Sequence, residues 1–99
     1  MKYRIWQIKD IRKCPYAFRS WEEAKGFTME DYAPVYGGVV ETENHEEALE
    51  ELFYVFNMEH PRDYHGRSMS GSDVVVLFDE DTPRRFYCDE FGWKEITFH

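Results

Sequence analysis

His60, Asp63 and His65 fall in one short stretch and supply the donor types of a metal site. Their spacing matches no specific metal motif, and the neighbouring Arg62 competes for Asp63 as an ion-pair partner. Cys88 is followed by Asp89, a thiol with an acid beside it. Successive side chains on a strand point to opposite faces, so these two do not pair. Cys88 therefore reads as core packing. The run from Ser68 to Asp73 carries Ser68, Ser70 and Ser72. Short hydroxyl side chains of this kind satisfy loop backbone groups, and the run lacks the strand–turn–helix setting of a nucleophile elbow. Gly37-Gly38 alone does not make a phosphate-cradling loop. The residues thus describe a protein that is not an enzyme and carries no cofactor. The alternative is a small metal-binding protein or enzyme using His60, Asp63, His65 and Cys88.

These residues depend on the elements that hold them. Residues 2–9 read as a first strand, with Tyr3 and Ile5 on one side and Trp6 and Ile8 on the other. Ser20 with Glu23 forms a capping-box pattern, and Gly26 is placed as a C-cap, so a short helix is expected over 21–25. Thr28 and Asp31 repeat the pattern for a single turn. Residues 34–41 read as a second strand in which Gly37-Gly38 marks a bulge or a close backbone approach. Asn44 caps the clearest element, a helix over 45–57. Its apolar residues Leu49, Leu52, Phe53 and Phe56 recur at helical spacing, and Glu46, Glu47, Glu50 and Glu51 fall on the other side. His60-Pro61 closes it. A loop to Ser72 leads into a central strand over 73–79, apolar on both faces. A return strand over 84–90 and a last strand over 93–98 complete a meander. The expected architecture is α+β: a four- or five-stranded, largely antiparallel sheet, one main amphipathic helix packed on it, and a short edge helix. The whole chain, residues 1–99, reads as one domain.

Bulk properties narrow the setting. Aromatic residues make up 18% of the chain, so a few large rings can stabilise a thin domain. Two cysteines, Cys14 and Cys88, are fewer than a small secreted scaffold usually carries. Free thiols in a reducing cytoplasm fit them, and a single Cys14–Cys88 bridge is also compatible with the sequence. No targeting segment and no apolar stretch of membrane-span length is visible. The expected location is cytoplasmic, with no membrane partner. The net charge is −8, distributed as +4 over residues 1–27 and −12 over the rest. An acidic surface repels phosphate backbones and attracts basic partners. In Lys2–Arg19 the cations Arg4, Lys9, Arg12, Lys13 and Arg19 interleave with Trp6, but alternation sends part of that set to the sheet interior. The reading therefore disfavours direct nucleic-acid contact.

The stretch from Phe56 to Leu77, with Asn57, His60-Pro61, Asp63, Gly66-Arg67-Ser68, Ser70 and Ser72-Asp73-Val74-Val75, is specific. It resembles the YodL-like domain of Firmicutes mobile elements. Tyr87-Cys88-Asp89-Glu90-Phe91-Gly92-Trp93, the N-terminal Tyr3–Ile8 run, Asp31-Tyr32 and Val35-Tyr36 fit the same family. The resemblance implies a bacterial mobile-element setting, often within multidomain polyvalent proteins, and no defined reaction. This chain reads as a stand-alone copy. In the signature, Arg67 is expected to pair with Asp63 or Asp89, and Asp73 to cap the loop with help from Ser70 and Ser72.

The functional expectation is a non-catalytic protein-interaction module, acting as an acidic modulator of a host or element nucleic-acid enzyme. An oligomeric structural subunit is a further alternative. The candidate binding residues are Arg67, Asp63, Tyr54, Glu47, Glu50, Glu51 and Trp93. Trp21 and Tyr36 complete the candidate aromatic contacts.

Overall fold

The computed structural model describes residues 1–80 and 82–96. Strand β1 spans Lys2–Ile8, β2 Tyr32–Val39, β3 Val74–Asp79, β4 Thr82–Asp89 and β5 Gly92–Ile96. Helix α1 spans His45–Met58 and connects β2 to β3. The five strands form one sheet in the order β2-β1-β3-β4-β5, and every pairing is antiparallel. The α+β architecture expected from the sequence is therefore the one observed.

Both faces of the sheet are covered, which is why the Val74–Leu77 run is apolar throughout. On one face Leu49, Leu52 and Phe56 of α1 pack against Tyr3, Ile5, Val75, Leu77 and Phe86. Full burial of one such side chain is worth about 1.5–3 kcal/mol, so this interface dominates the stability of the helix. On the other face the segment between β1 and β2 folds back over Ile8, Val74, Val76 and Tyr87. Rings do most of that packing. Trp21 meets Tyr87 edge-on at 5.1 Å and Phe27 at 5.2 Å, geometry that suits aromatic quadrupoles.

Several local expectations are corrected. The short helix does not lie at the sheet edge. Trp21–Glu23 is a single 3₁₀ turn on the second face, and its C-cap is Ala24, not Gly26. The Ser20 hydroxyl bonds the Glu23 carboxylate at 3.2 Å and makes no cap to the backbone, so one N-terminal anchor of a longer helix is lacking. Met29–Asp31 forms the second turn, and there Thr28 does cap, accepting from Glu30 N–H at 3.2 Å.

The second strand starts at Tyr32 because Tyr32 pairs with Ile8, and Pro34 is tolerated because β2 is an edge strand. The bulge sits at Val35, where the β1 partners step from Tyr36 to Pro34, and not at the glycines. Gly38 serves close approach instead: a Cβ there would stand 2.9 Å from the Tyr3 hydroxyl. Phe53, placed by spacing in the helix core, is 42% exposed, while Ala48 is buried in its stead. The helix runs one residue further, to Met58, and β4 begins at Thr82. Positions 97 and 98 of the expected last strand lie outside the described residues.

Candidate functional site

A buried polar hub holds the long loop between α1 and β3. Gln7 is buried on β1 and uses its whole amide. Its Nε2 donates to Arg67 O at 2.9 Å and to Asp73 Oδ2 at 3.1 Å, and its Oε1 accepts Arg67 N–H at 3.0 Å. The Arg67 guanidinium donates to Ile8 O at 2.9 Å. Asp73 Oδ2 also accepts Ser70 N–H at 2.9 Å, and the Tyr64 hydroxyl donates to Arg67 O. Gly66 lets these groups converge, since a Cβ would stand 2.6 Å from the Tyr64 oxygen and 2.8 Å from Gln7 Oε1. Burial raises the Asp73 carboxyl to about 6, against the lowering effect of the Ser70 N–H, the Gln7 amide and Arg67.

The hub corrects one expectation. Arg67 turns inward to β1 and pairs with neither Asp63 nor Asp89. Asp63 accepts the Tyr36 hydroxyl at 2.9 Å, and Asp89 accepts Trp21 N–H at 3.0 Å. Asp73 ties down the loop as expected, and the Ser72 hydroxyl bonds a backbone group, whereas Ser70 takes part through its backbone N–H and C=O and not its hydroxyl. Ser72 Oγ accepts Phe18 N–H at 2.9 Å, and the Tyr32 hydroxyl donates to Ser72 O at 2.6 Å. The long motif thus builds a scaffold: its buried polar groups tie the loop to β1, β2 and the segment before it.

What that scaffold presents is a groove at one end of the sheet. It runs between Glu50 and Phe53 of α1 and the β4–β5 turn, with Cys88, Asp89, Glu90 and Trp93 on its other wall. It continues past Phe53 toward Phe18, Arg19 and Glu23. Its two parts measure about 300 and 390 Å³. Phe18 is 53% and Phe91 93% exposed, large apolar surfaces left in water beside the groove. Glu23, Glu50, Asp89 and Glu90 supply acid around it. Arg19, the one cation among the described residues that line it, faces Glu23 at 3.5 Å.

The predicted site residues distribute unevenly around this feature. Glu50 and Trp93 line it. Glu51 and Tyr54 are exposed on the helix. Glu47 is occupied at the helix start, its N–H donating to Asn44 Oδ1 at 3.0 Å and its carboxylate accepting Thr42 at 2.9 Å. Arg67 and Asp63 belong to the loop framework. Trp21 is packed in the second core, and Tyr36 packs edge-on against Phe56 and Tyr64. Phe18, Phe53, Phe91 and Gln7 are the residues sequence reasoning missed. Phe91 was the most legible of them, as an aromatic in a Glu-Phe-Gly turn.

The chemistry-bearing residues are placed as follows. The His60 ring lies 5.8 Å from that of Tyr64, and its Nδ1 is 3.3 Å from Pro61 O. His65 is exposed. Among the described residues no three His, Cys, Asp or Glu side chains gather as a metal site. Cys14 and Cys88 are free thiols. Burial, with Asp73 and Asp89 nearby, pushes the Cys88 thiol up to about 12, away from thiolate chemistry. No helix among the described residues is long and apolar enough to cross a membrane.

A two-faced antiparallel sheet with one packed helix and a loop pinned by a buried Gln–Arg–Asp hub defines a small α+β scaffold domain. The chain belongs to the YodL-like domain family, whose model matches residues 2–98. No curated protein and no solved structure matches it significantly.

Proposed function

We propose that this chain is a non-catalytic protein-interaction module whose working surface is the aromatic, acid-rimmed groove. The observation that carries this reading is the convergence of Phe18, Phe53 and Trp93 on one groove, with Phe91 exposed in the turn beside it, among the charges Glu23, Glu50, Asp89 and Glu90. Aromatic anchors with a charged rim are the anatomy of a binding patch. The complementary partner is apolar at its centre and basic at its edge. A nucleic-acid enzyme of a host or a mobile element, offering its basic DNA-binding surface, is the target class that the acidic charge favours.

The test is capture of partners from a bacterial lysate at low and high salt, with Phe53→Ser/Phe91→Ser as the comparison. Both positions are exposed, so the fold should persist. A nucleic-acid enzyme captured by the parent chain, released by salt and absent with the variant, supports the reading. Equal capture by parent and variant places binding elsewhere. A salt-resistant dimer abolished by the same substitutions would assign the aromatics to self-association.

A further inference from the structure

The outer edge of β2 has no neighbouring strand among the described residues, and its two halves differ. Pro34 and the Val35 bulge blunt one half against the addition of another strand. The half from Gly37 to Val39 has neither device. Met1 and Val40 exchange both backbone hydrogen bonds, at 2.7 and 2.9 Å. That pair sets the phase of the ladder: Gly38 bonds toward Tyr3, and the N–H and C=O groups of Gly37 and Val39 point outward.

On the sheet face away from α1, an open groove of about 760 Å³ lies beside this edge, lined by Lys2, Arg4, Val39 and Phe78 among others. Lys2 and Arg4 have no ion-pair or hydrogen-bond partner among the described residues. Arg4 Nε lies 3.9 Å from where a Gly37 Cβ would stand, so its side chain extends from β1 over Gly37 of the edge strand. The missing side chain at Gly37 leaves the path from that edge to Arg4 clear. Arg85 stands on the same face, one strand beyond Val76.

We infer that the Gly37–Val39 edge accepts an extended acidic segment of a partner protein as a sixth strand, with an Asp or Glu carboxylate seated on Arg4. Main-chain bonds from Gly37 and Val39 supply affinity, and the Arg4 register supplies selectivity. The charge site is Arg4 and not Lys2, because Glu43, Asp79 and Glu80 line a hollow on the Phe78 side. The acids of α1 belong to the opposite face of the sheet. A second copy is the poorer occupant: β2-to-β2 pairing about Gly38 would bring Arg4 toward its own counterpart.

The test uses three labelled peptides of about ten residues each. One alternates Glu with Thr, one alternates Lys with Thr, and one is the Glu peptide interrupted by prolines that cannot complete a ladder. The expected result is binding of the intact Glu peptide alone, weakened about tenfold by Arg4→Glu, with shifts at the Gly37 and Val39 amides. Val39→Pro removes an outward N–H and should weaken it likewise; the NMR spectrum of each variant reports whether its fold survives. Equal binding of the proline-interrupted peptide would reduce the site to charge attraction and overturn the strand assignment. So would Gly37 and Val39 amides that stay unshifted at saturating Glu peptide, or that are already protected in a dimer of the free chain. The aromatic groove is untouched by these variants, so the two surfaces fail independently.

Discussion

Ser72 Oγ accepts the backbone N–H of Phe18 at 2.9 Å, and both residues hold left-handed backbone conformations, φ +77° and +64°. Non-glycine residues adopt this region at a cost of about 1–3 kcal/mol. The contact ties the start of the third strand to the segment covering the second sheet face, and it fixes an aromatic ring in solvent. Phe18→Gly should therefore raise stability by about 1 kcal/mol while weakening partner capture. Urea denaturation at unchanged m-value checks the first effect. A loss of stability of that size would show that the ring is a packing group and not a contact surface.

Asp73 gives a pH signature. Its carboxyl stands near 6 in the folded chain against an ordinary 3.8. The folded state therefore holds the proton more tightly. The resulting stabilisation is complete below pH 4 and is lost as pH rises through about 6. The full change is about 3 kcal/mol, of which about 2 kcal/mol falls between pH 4 and pH 7. Urea midpoints at pH 4 and pH 7, compared between the parent and Asp73→Asn, isolate it. The variant should lack this share of the slope, and parallel pH profiles would contradict the assignment.

Two phenylalanines on one helix should behave oppositely. Phe56 is fully buried between Tyr3, Tyr36 and Tyr64, and Phe56→Ala should cost about 3–5 kcal/mol. Set against a typical total of about 5–15 kcal/mol, that is enough to unfold much of the population at 37 °C. Phe53→Ser should stay within about 0.5 kcal/mol of the parent. Leu52→Asp, which places a charge in the same buried interface, should leave no cooperative thermal transition. Circular dichroism melts of the three variants decide the matter.

Two loop glycines are likewise unequal. Gly66→Ala drives a methyl into the Tyr64 hydroxyl and the Gln7 amide, and should cost about 1–3 kcal/mol. At Gly71 the nearest atom to a new Cβ is Phe18 O at 3.4 Å, an ordinary contact. Gly71→Ala should fold normally. Equal melting temperatures for the two variants would mean that the hub yields more than its geometry implies.

The sheet and the main helix were legible because periodicity reports which face of an element is buried. Leu49, Leu52 and Phe56 announced the helix interface, and the apolar Val74–Leu77 run announced a strand covered on both sides. What covered the second face was not legible. Trp21, Phe27 and Tyr32 sit in a segment without period, and their packing depends on long-range folding back. Phe53 misled because helical spacing fixes the apolar stripe only to within about one residue's width. Arg67 misled for a different reason. Asp63 and Asp89 were acids suited to pairing by type, whereas the guanidinium donates to the Ile8 carbonyl and the Gln7 amide holds the Arg67 backbone. The groove was half legible: Glu50 and Trp93 were named, but Phe18 owes its exposure to a backbone angle that sequence does not reveal.

The position of β1 in the middle of the sheet also bears on how the chain comes into being. It is the first of the five strands to be synthesised, yet one of its two neighbours, β3, begins only at Val74. Until that stretch emerges, the β3 side of β1 stays unpaired, and Tyr3, Ile5 and Ile8 have only β2, α1 and the segment before β2 to shelter them. Such non-local closure slows folding and leaves strand edges open during synthesis. Closure of this sheet is therefore a late event, and a nascent chain halted before β3 carries an open strand edge on β1.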